Sequence, residues 1–403
     1  MSGPLSGFRI IDLTSMLSGP WATMILADQG ADVIKVEVPG TGDHVRSLSN
    51  QRGGLSAMFL NINRNKRSIA VDVKDGRGRQ ILLDLAKTAD VVVQNFRPGV
   101  VERLRIDEPE LRRHVPNLVY VSISGFGATG PWAGKPAYDP VIQAVSGLTT
   151  VQAGSDADRP RLVRTVLPDK VAALTTAQTI TAALLARTGS GEGQHVRLSM
   201  LDAVLAFLWA SDMGAQTYPD WPTTNQEAAS FIDLIYETQD GFMTVAVMSN
   251  KEWAGATRAF ERPEWLTDGR FATPSARDRN VGARLEMTQA VLRTRTTADW
   301  MERLEAHDVP CAPALTRNQV LQHPQVLASG TVVETVHHAA GRLRQARPPA
   351  RFERTPAAIR FGAPLLGEHS DEILTSLGYE PDAIAELRAG HVIGEKPPGS
   401  LAA

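Results

Sequence analysis

Five short β-rich runs with helical stretches between most of them constrain this chain more than any other feature. They are FRIIDL at 8–13, ADVIKVEV at 31–38, SIAVDV at 68–73, ADVVVQN at 89–95 and LVYVSIS at 118–124. Valine and isoleucine suit pleated, buried backbone, and strands alternating with helices predict a parallel sheet covered by helices. The first helix is punctuated by Gly19 or Ser18 as cap, Pro20 at its first position and Gly30 after its end. No GxGxxG follows the first strand, so "Rossmann-like" describes the layering alone. At 403 residues, 43% of them apolar, the chain is too long for one core and suits about two domains. The first, 1–225, reads as a large α/β domain. After it the pattern changes to a strand pair, LIYETQDGFMTVAV, turning at Asp240 and Gly241, then helices, which gives a smaller α+β domain over 226–328. Residues 329–403 begin rich in Pro and Arg and predict an extended connection back to the large domain.

The stretch VRTVLPDKVAALTTAQTITAALLAR at 163–187 stands apart. No charge occurs from Val171 to Ala186, which predicts a helix buried on every side but short for a membrane span. Asp169 reads as its N-cap, placing a carboxylate at a buried helix end. Lys170 then opposes the helix dipole, a local rule broken where function is a reason to break it. Alone, the stretch fits an ordinary capping aspartate at least as well.

Other candidates are weaker. NINRNKR at 61–67, followed by Lys74, and NFRPGVVERLR at 95–105 form two basic loops at strand ends. They read either as phosphate sites or as solvated surface charge. SGFGATGPWAGKP at 124–136 predicts a long loop, leading to Asp139 as cap of a short amphipathic helix. Two aspartates at two helix starts invite a shared site. Ser199 predicts a further helix cap, with Asp202 three residues on. Phe207, Trp209 and Met213 read as core, with an acyl pocket as the alternative. The net charge of −2 argues against a nucleic-acid partner. The start lacks a signal-peptide pattern, and no apolar run spans a bilayer, so the expected location is cytoplasmic. Cys311, the sole cysteine, permits no intrachain disulfide and reads as a structural thiol. His337 and His338 lack metal-motif spacing and read as a surface pair, so no metal is expected.

Taken together, SGPWATMILADQGADVIKVE, NRNKRSIAVDV, ADVVVQNFRPGVVERL, LVYVSISGFG, TGSGEGQHVRLSMLDAVL, DVPCAP and APLLGEHSDEIL resemble the class III CoA-transferases, also called the CaiB/BaiF family. Formyl-CoA transferase, carnitine CoA-transferase and α-methylacyl-CoA racemase are members. The likeness covers nearly the whole chain. In that family the acid that becomes acylated lies 25 residues before the Gln of the GxGQ turn, which from Gln194 is Asp169. The resemblance implies transfer of CoA from an acyl-CoA to a small carboxylic acid through a covalent aspartyl intermediate, with Asp139 supporting Asp169. It implies coenzyme A along Val71, Lys74, Asn95, Phe96, Arg97 and Arg103, and an interlocked homodimer. Three departures stand out. Val38 replaces an Arg, Leu17 replaces an active-site Gln of formyl-CoA transferase, which argues against oxalate, and MSNKEW at 248–253 lacks the glycines of its lid. The rival readings are a 2-methylacyl-CoA racemase, disfavoured because Tyr138 stands where a catalytic His is needed, and a non-catalytic CoA-binding protein.

Overall fold

Six strands form a wholly parallel sheet: β1 (Arg9–Asp12), β2 (Asp32–Glu37), β3 (Lys66–Ala70), β4 (Val91–Gln94), β5 (Val119–Ser124) and β6 (His195–Ser199), in the order β3-β2-β1-β4-β5-β6. The structure is a computed structural model that describes residues 3–48, 50–220 and 234–394. Val91, Val92 and Val93 are all 0% exposed, as befits a central strand covered on both faces. Alternate residues feed two cores. Ile11, Ile34 and Val92 face α2 (Gly76–Lys87) and the C-terminal helices, whereas Ile10, Val33 and Val91 face α1 (Ser18–Asp28). The sheet order reverses between β1 and β4, and the carboxyl ends of these strands open the crevice where such sheets bind ligands.

After α3 (Asp139–Val145) comes α4 (Leu167–Ser190), which packs on the α1 face through Ala173, Ala177, Ile180 and Ala183. It ends at Gly191, whose φ of 76° suits glycine. Ser199 caps α5 (Met200–Trp209) as expected, its hydroxyl accepting from the Asp202 N–H at 2.9 Å.

The chain clusters into two units, Met1–Ala229 with Thr331–Ala403, and Ser230–Gly330. The second unit holds an antiparallel sheet of β7 (Ile235–Glu237), β8 (Phe242–Val245) and β9 (Cys311–Pro313), with the expected turn closed by the Thr238 N–H on the Gly241 carbonyl at 2.9 Å. Trp253, Trp265 and Trp300 fill its core.

Several local expectations fail for identifiable reasons. Helix α1 starts at Ser18 with Leu17 at the cap position and no side-chain cap, so Pro20 is its third residue. Strand β3 begins at Lys66 rather than Ser68, because Lys66 is a buried partner of Asp12 rather than a loop charge. Helix α4 is not buried on every side: Leu174 is 55% and Leu185 74% exposed in the single chain. Phe207 and Trp209, 48% and 50% exposed, are neither core nor cavity wall, whereas Met213 packs against the core below α5. The connection after residue 330 opens with a hairpin, β10 (Val332–His337) and β11 (Gly341–Ala346). His337 is buried rather than a surface residue, its Nδ1 facing the N–H groups of Ala339 and Ala340 at 3.1 Å.

Candidate active site

The turn after β1, the loop after β4 and the segment after β5 enclose a cavity of about 370 Å³ at the carboxyl edge of the sheet. Ser15 and Asn95 tie the first two together, the Ser15 N–H donating to Asn95 Oδ1 at 3.0 Å and Asn95 Nδ2 to the Ser15 carbonyl at 2.8 Å. Met16, Leu17, Val45, Leu48 and Met58 give the cavity an apolar wall. Met16 has a φ of 70°, a left-handed conformation that a non-glycine residue adopts only when its surroundings impose it.

Asp169 lines this cavity from the first turn of α4. It is not the N-cap: Val166 takes that position, Leu167 and Pro168 start the helix, and no side chain caps it. The Asp169 N–H instead donates to Asp139 Oδ2 at 3.3 Å, so the two aspartates do meet. Asp139 is likewise the first residue of α3 rather than its cap, which is Tyr138. Its Oδ1 accepts from Gln143 Nε2 at 2.6 Å, and Gln143 Oε1 accepts from the Val163 N–H at 2.9 Å, bracing the approach to α4.

Burial, reinforced by the charge of Asp139, pushes the Asp169 carboxyl up from 3.8 to about 6, against opposing bonds from the Ser18 hydroxyl and N–H. Burial also raises Asp139, partly offset by Gln143. The nearest polar group working on the Asp169 carboxyl is therefore Ser18, at the start of α1 and on the same cavity wall. Helix α4 has little to lend, because the Asp169 N–H serves Asp139 and the Lys170 N–H already bonds the Val166 carbonyl at 3.2 Å. The Lys170 ammonium leans back on Thr165 Oγ1 at 2.6 Å.

The residues expected to hold CoA are not all brought together. Asn95, Phe96 and Arg97 line the cavity. Lys74 and Arg103 are exposed outside its wall. Val71 is 2% exposed within the core, and its N–H bonds the Glu37 carbonyl at 2.8 Å, leaving no side-chain surface for adenine. The three cations of NINRNKR are taken up by carboxylates within the fold. Arg64 pairs with Asp28 at 2.7 Å, Lys66 with Asp12 at 2.9 Å and Arg67 with Asp32 at 2.7 Å.

Two cavity residues escaped sequence reasoning. Ser18 was legible only as a possible cap. Lys135, from the glycine-rich loop, lines the cavity with its ammonium 3.5 Å from the centre of the Trp132 ring. Tyr138 lines the cavity as well. Cys311 belongs to the second unit, its thiol pushed up to about 11 by burial and so held as the unreactive thiol.

The sequence and the fold have counterparts among known proteins. The family model for CoA-transferase family III matches residues 5–370. The chain is 33% identical to mouse succinyl-CoA:glutarate CoA-transferase over 398 residues, covering 97% of this chain and 90% of that protein. It is 31% identical to formyl-CoA:oxalate CoA-transferase of Afipia carboxidovorans over 423 residues, with coverage of 98% and 99%. A crystal structure of a CAIB/BAIF family protein from Brucella suis superposes with a TM-score of 0.80 at 30% identity, covering 94% of this chain and all (100%) of that one. With a six-stranded parallel sheet, a carboxylate-bearing cavity at its carboxyl edge and similarity along nearly its whole length, this chain belongs to CoA-transferase family III, a family of enzymes that transfer CoA.

Proposed function

We propose that Asp169 is the nucleophile of a CoA transfer between an acyl-CoA and a small carboxylic acid. The observation that carries this reading is a carboxylate on the cavity wall whose burial makes it more basic than an ordinary aspartate, with Ser18 on the same wall working against that rise. A carboxylate Oδ attacks the thioester carbonyl, the C–S bond breaks, and CoA leaves as thiolate from a mixed anhydride. The thiolate then attacks the aspartyl carbonyl, expelling the donor acid and leaving an aspartyl-CoA thioester. The acceptor carboxylate repeats these two steps in reverse order, and Asp169 is regenerated with no net proton change.

Asp139 keeps the α4 N–H off the nucleophile and adds negative charge beside it, which makes it a supporting group. Asn95, Phe96 and Arg97 meet CoA at the cavity, and Lys135 joins them as a second cation. Lys74 and Arg103 serve only parts of the cofactor that extend beyond the wall. An interlocked homodimer would cover the exposed apolar face of α4 at Leu174 and Leu185. Among the described residues no helix is long and apolar enough to cross a membrane.

The test is covalent trapping. Acetyl-, propionyl-, 2-methylpropanoyl-, succinyl- and formyl-CoA are incubated with the protein, hydroxylamine is added, and the peptide holding Asp169 is examined by mass spectrometry. A hydroxamate on Asp169 that disappears in Asp169→Ala, together with loss of CoA exchange between acids, is expected. Equal labelling of the variant would sink the assignment.

A further inference from the structure

Beneath the Thr14–Pro20 turn lie four buried charges that the proposed chemistry does not use: Asp12, Lys35 and Lys66 are 0% exposed and Asp43 4%. They form two ion pairs, Lys66 Nζ to Asp12 Oδ2 at 2.9 Å and Lys35 Nζ to Asp43 Oδ2 at 3.0 Å. Their charges cancel. An apolar filling of equal volume is often as stable as such a set, so stability is a weak reason for its presence.

Each of the four also spends a bond on the backbone of the same short turn. Asp12 Oδ1 accepts from the Thr14 N–H at 2.9 Å, and Lys35 Nζ donates to the Thr14 carbonyl at 2.8 Å. Asp43 Oδ1 accepts from the Met16 N–H at 3.1 Å, and Lys66 Nζ donates to the Pro20 carbonyl at 2.8 Å. The turn they hold is constrained throughout. Met16 sits at a φ of 70°, and a Cβ at Gly19 would lie 2.4 Å from the Thr14 side chain. Between the anchors at Met16 and Pro20 lies Ser18, which lines the same cavity as Asp169 and whose hydroxyl and N–H work against the rise of its carboxyl.

We propose that the Asp12–Lys66 and Lys35–Asp43 pairs are positioning residues that fix the Thr14–Pro20 turn so that the Ser18 donors stay aimed at the Asp169 carboxylate. The proposal rests on the reading of Asp169 as nucleophile. Two of the charges, Asp12 and Lys35, one from each pair, hold the turn at its start, and Asp43 and Lys66 hold its middle and end, so weakening one pair lets Ser18 drift without opening the sheet. The neighbouring Glu37–Arg46 pair, at 2.6 Å, keeps both its partners in the variants below, and Glu37 Oε1 still accepts the N–H of residue 43, a backbone bond at 2.9 Å that a side-chain change leaves in place. The other ionisable groups acting on Asp169 or its partner, Asp139 and Lys170, are untouched by them.

The double variant Lys35→Met/Asp43→Leu removes one pair and leaves no unpaired charge. With the most effective acyl-CoA of the trapping panel, kcat for CoA exchange is expected to fall about tenfold or more while KM for that acyl-CoA moves less than about threefold. The acid limb of Asp169 labelling moves to higher pH, because the lost Ser18 bonds favour the ionised form. If that variant does not fold, Lys35→Met/Asp43→Asn keeps an acceptor for the Met16 N–H and loses only the hold on Thr14. It is expected to show the same pattern, with kcat down about threefold. A folded variant with unaltered kcat and acid limb overturns the proposal, whereas an unlabelled wild type overturns the Asp169 reading and the proposal with it.

Discussion

Replacing Asp169, the proposed nucleophile, should stabilise the protein. Burial and Asp139 raise Asp169 from 3.8 to about 6, so ionising it in the fold is harder than in the unfolded chain. At about 1.4 kcal/mol per tenfold change, the difference is worth up to about 3 kcal/mol. The sign follows from linkage: the unfolded chain releases this proton first, so as pH rises through 3.8 towards 6 the folded state loses stability, and above 6 the loss is complete. Asp169→Asn removes the charge while keeping an oxygen for the Ser18 donors. Solvent at the cavity mouth reduces the effect, leaving an expected gain of about 1 to 3 kcal/mol near neutral pH. For a unit of this size that is a rise of about 2 to 6 °C in the melting temperature. The assay is thermal unfolding of wild type and variant across pH, followed by circular dichroism. At about pH 7.5 the gain should be full, at about pH 5 roughly half, and below about pH 3.8 close to nothing. A variant no more stable than wild type near neutral pH, or a difference that does not change with pH, would refute the reasoning.

The remaining predictions concern charge near the site and at the far edge of the sheet. Asp139→Asn removes the charge that adds to the burial of Asp169, so the acid limb of hydroxylamine-trapped labelling should move to lower pH; a limb that stays in place or rises contradicts the electrostatic role. His195 is held neutral by burial, down at about 4 from 6.5, with Arg197 pushing the same way. The unfolded chain therefore takes up this proton first, and stability drains away as pH falls below 6.5 towards 4. His195→Gln should keep an acceptor or donor for Ser122, whose hydroxyl lies 2.8 Å from His195 Nε2, and should lose less melting temperature than wild type between about pH 6.5 and pH 4.5. Equal acid sensitivity of the two proteins would exclude His195 as the cause.

The parallel sheet was readable because its signal is local: runs such as ADVIKVEV and ADVVVQN carry enough valine and isoleucine to declare buried strands, and the observed β2 and β4 fall inside them. The site was readable only in part, since what it depends on is long-range pairing. Lys66 and Arg64 look in sequence like a phosphate loop, and they are buried because Asp12 and Asp28 sit 54 and 36 residues away. No spacing rule reveals that. Asp169 could be singled out by its uncharged helix, yet its role as a cap was misplaced by three positions, because Pro168 fits the second helical residue and starts the helix earlier. Ser18 escaped for the same reason that Lys66 misled: its partner lies on another element, and nothing in SGPW announces it.

With Asp169 as the proposed nucleophile, the polar groups around it would let an aspartate serve where ordinary carboxylates do not. An N-capping aspartate would have its oxygens occupied by the N–H groups of its own helix, stabilised as an anion and weakly nucleophilic. Here Asp139 accepts the Asp169 N–H and so withdraws that donor, while its own charge discourages full stabilisation of a second carboxylate nearby. What remains is Ser18, presented by a different helix on a turn held from beneath. Such donors can serve the carboxylate before attack and the oxyanion after it without the helix carrying Asp169 having to move. On the proposed mechanism, a carboxylate already under-bonded in the resting fold brings part of the barrier down in advance, at the expense of the stability that Asp169→Asn should recover.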